Sequence, residues 1–198
     1  MNKYVVELCE RYPRLEGIAE DVENAIGILT DCYERGGKLL LCGNGGSAAD
    51  CSHIVGELLK GFLKKRPTGS DDEIISKLQC GLPAVSLCES TAIFTAFCND
   101  VDPDLVFAQQ VYGLGKEGDV LIGITTSGNS SNVLKAMHVA QKLGMKTVSL
   151  TGRDGGKIKD LSDICLIVPE YETFKVQELH LAVYHCICAA VEEHFYKI

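Results

Sequence analysis

Apolar residues recur every three or four positions near the start of the chain: Leu8, Tyr12, Leu15, Ile18, Val22, Ala25, Ile26, Leu29 and Tyr33. That period predicts helix. Pro13 splits the pattern into a short helix and a longer one, because proline removes a donor and crowds the preceding turn. Gly36 and Gly37 end the second. Its apolar arc is wide, taking in Ile28 and Cys32, which fits burial on two sides, as at a subunit interface, as well as packing on one sheet. An apolar run at 38–42 predicts strand 1, and a helix follows over 47–63. The segment 64–72 is polar and rich in breakers, which predicts a surface loop with solvated charges. Short apolar runs at 82–87, 119–125, 145–150 and 164–169 predict strands 2 to 5. Between strands 3 and 4 a helix over 132–143 places Val133, Ala136, Met137 and Ala140 on one face. A long helix over 175–196 closes the chain.

Short buried strands alternating with helices predict an α/β fold with a parallel sheet covered on both faces. Ligands of such sheets bind beyond the carboxyl ends of the strands. Polar turns lie there at 43–47, 125–130 and 151–156, after strands 1, 3 and 4.

Composition narrows the function. A chain of 198 residues suits one sizeable domain. A net charge of −8 argues against nucleic-acid binding, so an anionic ligand has to be held by local dipoles and hydroxyls. Ten cysteines without a CxxC pair fit reduced thiols in a cytoplasmic protein better than a disulfide scaffold or a zinc ribbon. The start Met1-Asn2-Lys3-Tyr4 is not a secretory signal, and no apolar run reaches the roughly 18–20 residues of a membrane helix. A cytoplasmic location without membrane contact is therefore expected.

Candidate chemistry gathers in three places. Gly43-Asn44-Gly45-Gly46-Ser47-Ala48 is a strand–turn–helix edge able to hold an anion. It matches G-x-G-x-x-A literally, but strand 2 ends over forty residues later, too far for the acidic residue of a dinucleotide site. His53 and Glu57 follow on one helical face, four residues apart. Thr125-Thr126-Ser127-Gly128-Asn129-Ser130-Ser131 offers five hydroxyls at another helix start, a phosphate nest without a cation; a simple helix cap needs only one of them. Gln177-Glu178-Leu179-His180, with His185, opens the last helix. Gln177 and His185 are roughly 12 Å apart along an ideal helix, so spacing does not decide which of these residues are ligands.

Taken together, residues 42–50 with His53 and Glu57, Asn99-Asp100, the 126–130 turn, and Gln177-Glu178-Leu179-His180 with His185 resemble the sugar isomerase (SIS) domain, and within it the phosphoheptose isomerases. The resemblance covers nearly the whole chain. It implies a single SIS domain over 1–198, a flavodoxin-like three-layer sandwich around a five-stranded parallel sheet, with a helical extension at 1–36 and an α/β core at 37–198. It implies an aldose–ketose isomerase converting sedoheptulose 7-phosphate to D-glycero-D-manno-heptose 7-phosphate through an enediol. The alternatives are an isomerase of another sugar phosphate and a non-catalytic SIS protein that binds a replication initiator. The resemblance makes Glu57 the general base and His185 its acid/base partner; Glu57 suits that role if partial desolvation raises its pKa toward working pH. It gives Asn44, Gly45, Gly46, Ser47, Glu57, Asn99, Asp100, Thr125, Thr126, Ser127, Ser130 and Gln177 to the sugar phosphate. It gives His53, Glu57, Gln177 and His185 to a zinc ion, one per subunit, and implies a homotetramer with interfacial sites. Three positions depart from the family pattern: Gly61 replaces an arginine, with Lys60 or Lys64 as substitutes; Phe174 replaces an aspartate; and Thr125 replaces a serine.

Overall fold

The computed structural model describes residues 1–196, so positions 197 and 198 of the expected core lie outside the described residues. Five parallel strands form one sheet: β1 Leu39–Gly43, β2 Ala84–Ser86, β3 Val120–Ile124, β4 Lys146–Thr151 and β5 Ile164–Ile167, in the order β2-β1-β3-β4-β5. β1 and β3 are buried along their whole length, which explains their unbroken apolar runs. Side chains alternate across the sheet. Leu39 and Leu41 join one core with α1 Lys3–Arg11, α2 Ala19–Glu34, α3 Gly46–Leu59 and α7 Thr173–Phe195. Leu40 and Cys42 join the other, beneath α5 Val106–Leu114 and α6 Ser131–Lys142. The three-layer α/β sandwich is therefore the observed fold.

The wide arc of α2 is covered largely from within the chain. Val22, Leu29 and Cys32 join the core of the sheet, and Tyr33 packs edge-on against Phe195 of α7, ring centroids 6.1 Å apart. Two helices between β2 and β3 escape the sequence reading: α4 Thr91–Asp100 and α5. α4 contains no fully buried residue; Phe94, Phe97 and Cys98 pack half-buried against the second core, and Phe94 meets Phe107 of α5 edge-on, ring centroids 5.4 Å apart.

Strand 2 is shorter than expected, and α3 stops at Leu59 instead of running to 63. The cause of the early stop is a buried clamp. Arg66 donates from Nε to Glu192 Oε1 at 2.8 Å and from its terminal nitrogens to the carbonyls of Leu58 and Glu57. The Glu192 carboxylate also accepts the backbone N–H groups of Phe62, Leu63 and Lys64. One side chain thus serves the open carbonyls ending α3, and the other serves the loop after it. The loop charges are accordingly not all solvated: Arg66 is fully buried, and Lys64 pairs with Glu193 at 2.8 Å.

Candidate active site at the carboxyl edge of the sheet

Parallel register sets Gly43 beside Ile124 and Ile124 beside Leu150, so the turns after β1, β3 and β4 leave the same edge of the sheet. The strand order reverses between β1 and β3, the switch point where such sheets hold ligands.

The first turn is a backbone device. Gly45 caps α3 with φ +56°, which favours glycine. A methyl group on Gly46 would come within 2.5 Å of Gln177 Nε2, so the missing side chain lets α7 approach. Asn44 exchanges two amide hydrogen bonds with Asn132 of α6, each 2.9 Å, tying the first turn to the second helix. Ser47 is buried in the first turn of α3.

The second turn places Thr125 Oγ1 2.9 Å from Ser130 Oγ, and Ser127 Oγ accepts the Asn129 N–H. Thr126 holds the neighbouring turn through its carbonyl, which accepts the Gly152 N–H. Gly128 has φ +68° and lies so close to Gly155 that no side chain fits. Ser131, fifth of the hydroxyls, turns away and donates to Asp104. Asn99 and Asp100 end α4 exposed, bonded to each other at 2.8 Å and to none of the other candidate residues.

The acid/base cluster forms where α3 meets α7. His53 Nε2 lies 3.2 Å from Glu57 Oε1 and 3.3 Å from His185 Nε2. One donor atom from each residue falls within 4.8 Å of the others, a set able to hold a metal ion. Behind His53, its Nδ1 lies 3.0 Å from the Tyr184 hydroxyl, which also reaches Asp50 Oδ1 at 3.2 Å. Spacing had left Gln177, His180 and His185 open. The structure brings His185 to the cluster, sets Gln177 against Gly46, and buries His180 elsewhere.

Glu57 departs from the desolvated base expected of it. Burial pushes its pKa up, the Lys60 ammonium at 3.0 Å from Oε2 pulls it down, and the net shift is downward. Lys60 therefore stands beside the carboxylate near which the family pattern has an arginine, whereas Lys64 is engaged with Glu193. His185 is shifted down, first by burial and then by the neighbouring His53. Its ring stacks at a tilt on Phe62, centroids 5.4 Å apart, and faces a cavity of about 260 Å³ lined also by Tyr4, Arg11 and Leu181.

His180 has a structural part. Its Nε2–H donates to the Thr151 carbonyl at 3.2 Å, fixing α7 to the end of β4, while buried Nδ1 meets no partner among the described residues. Burial lowers its pKa to about 4. An unfolded chain takes up this proton near pH ~6.5, and the folded chain refuses it until pH nears 4. The neutral ring's contribution is thus present above pH ~6.5 and is lost as pH falls toward 4, on the order of 3 kcal/mol. Urea unfolding at both ends of that range should show a smaller acid loss for His180→Gln than for the parent chain. Equal acid losses would refute the assignment.

With the two turns and the His53, Glu57 and His185 cluster in place, the chain belongs to the SIS domain family, whose model matches residues 3–152. Its relatives narrow the class to the phosphoheptose isomerases. The phosphoheptose isomerase of Helicobacter pylori strain P12 is 46% identical over 181 residues, spanning 91% of this chain and 88% of that one. Among solved structures, the phosphoheptose isomerase from Neisseria gonorrhoeae matches with TM-score 0.80 and 36% identity, covering 95% of this chain and 94% of that one. The enzyme from Francisella tularensis matches with TM-score 0.81 and 32% identity, covering 96% and 94%.

Proposed function

We propose that this chain interconverts sedoheptulose 7-phosphate and D-glycero-D-manno-heptose 7-phosphate through an enediol. The convergence of His53, Glu57 and His185 at one point carries the reading. The relatives support it, since phosphoheptose isomerases align over most of the chain. Glu57 takes the proton from the sugar carbon, and His185 moves the hydroxyl proton beside it. Thr125, Thr126, Ser127 and Ser130 hold the distal phosphate, so that binding energy positions the reacting end. Asn44, Gly45, Gly46, Ser47, Asn99, Asp100 and Gln177 complete the sugar contacts in this reading. Isomerisation in heavy water should place deuterium at C1 or C2 of the heptose phosphate. Exchange only with a pentose or hexose phosphate would move the activity to another sugar, and exchange with none would refute the isomerase.

The cluster also fits zinc. Tetrahedral ligands at ~2.1 Å from zinc lie about 3.4 Å from each other, close to the observed 3.2 and 3.3 Å separations. Two imidazole nitrogens and a carboxylate oxygen suit that ion. His53, Glu57 and His185 would hold it, with Gln177 the remaining family ligand. When bound, zinc supplies a positive charge that polarises the sugar carbonyl. Metal analysis of untagged protein tests this: full activity at a stoichiometry near zero would remove zinc from the reaction.

The same reading takes 1–198 as one SIS domain, helical at 1–36 and α/β at 37–198, assembled as a homotetramer with interfacial sites. α4 without a buried residue, exposed Leu181 beside the cluster and exposed Phe174 support such an assembly. Sedimentation that gives a monomer at working concentration would count against it. The ten free cysteines suit the reducing cytoplasm. Among the described residues no helix is long and apolar enough to cross a membrane.

A further inference from the structure

Asp50 and Tyr184 have no part in the reaction as drawn, yet both stand directly behind His53. Asp50 lies one helical turn before His53 on α3, and Tyr184 precedes His185 on α7. The Tyr184 hydroxyl lies between two neighbours, Asp50 Oδ1 at 3.2 Å and His53 Nδ1 at 3.0 Å. It has one hydrogen and can donate to only one of them.

The choice is decided by what each arrangement leaves without a donor. Tyr184 is the one side-chain donor that Asp50 meets among the described residues, and Asp50 Oδ2 is already buried without any. Were the hydroxyl to donate to His53, the Asp50 carboxylate would face it with lone pairs alone, an expensive arrangement for a half-buried charge. Glu57, the competing acceptor on the other side of His53, retains Lys60 on Oε2 at 3.0 Å whichever way the ring is protonated. The hydroxyl therefore donates to Asp50, and its oxygen accepts from His53 Nδ1–H.

We propose that Tyr184 and Asp50 are positioning residues that hold His53 as the Nδ1–H tautomer, leaving its Nε2 lone pair aimed at Glu57 and His185. An aimed lone pair facing a carboxylate at 3.2 Å is repulsive by itself and favourable around a cation. The pair thus prepares His53 as a metal ligand rather than as a donor to Glu57. This last step rests on the zinc reading given above, while the tautomer does not.

The test uses the intact protein, labelled with 15N-histidine and freed of metal. Long-range 1H–15N spectra under alkaline conditions, where imidazoles are neutral, report which ring nitrogen of His53 holds the proton. The parent chain should show Nδ1–H. Asp50→Ala frees the tyrosine hydrogen to turn to Nδ1, so His53 should switch to Nε2–H. Tyr184→Phe should abolish the preference for Nδ1–H. Finding Nε2–H in the parent chain, or an unchanged Nδ1–H in Asp50→Ala, overturns the proposal. Zinc affinity by chelator competition is the second readout: both variants should bind about 10- to 100-fold more weakly. Affinities within twofold of the parent would overturn the role in metal binding. A parent chain that binds no zinc would defeat the zinc reading, and the spectra would still decide the tautomer.

Discussion

Replacing Glu57 with glutamine is expected to lower turnover on the heptose phosphate by about 10²- to 10⁴-fold, the range of a lost general base. The substitution keeps shape, so the fold should survive. What it removes is the anion. The Lys60 ammonium holds the Glu57 pKa below its ordinary value despite burial, so the carboxylate is ionised at neutral pH and free to accept a proton. An amide cannot. The loss should appear in kcat, with deuterium uptake falling in step, because the proposed phosphate contacts of the 125–130 turn stay intact. A Glu57→Gln enzyme within threefold of the parent rate would sink the assignment of Glu57 as base.

The largest loss of stability is expected from Glu192→Ala. Arg66 would keep its charge in a site where its side chain is 0% exposed, and three loop N–H groups would lose their acceptor. Removing one partner of a buried pair typically costs about 3–5 kcal/mol. Domains of this size hold only about 5–15 kcal/mol in total. Urea denaturation should reveal the shift, and hydrogen exchange should show early opening of 61–66. A loss below about 1 kcal/mol would mean that the clamp contributes little. Replacing Arg66 as well would not restore the parent stability, because the loop N–H groups would still lack their acceptor.

Much of this fold is legible in the sequence because its signals are local. The strands β1 and β3 announce themselves as apolar runs between polar turns, and α6 through the Val133, Ala136, Met137 and Ala140 face. α4 is less legible because its apolar residues are only half-buried: Phe94, Phe97 and Cys98 pack on the core beneath α5 and α6 without entering it. Arg66 reads as one more solvated charge beside Lys64 and Lys65, since nothing nearby names Glu192 as its partner 126 residues on. His53 and Glu57 share a face by spacing alone. Their meeting with His185 is a tertiary fact, decided by which side of α7 packs on α3. That packing sends His180 toward β4 and His185 toward His53, and helical periodicity cannot distinguish the two without knowing the neighbours.

The long helix α7 has one more consequence. Within roughly 22 Å of a single rod it carries Gln177 in its second turn, His185 at the cluster and Glu192 in the clamp. Chemistry and endurance are thus written on the same piece of backbone. A screen that selects only for faster catalysis would keep returning positions on this helix that never meet the sugar, and a screen for heat tolerance would return positions that alter its rate. An engineer could not improve one property here without monitoring the other.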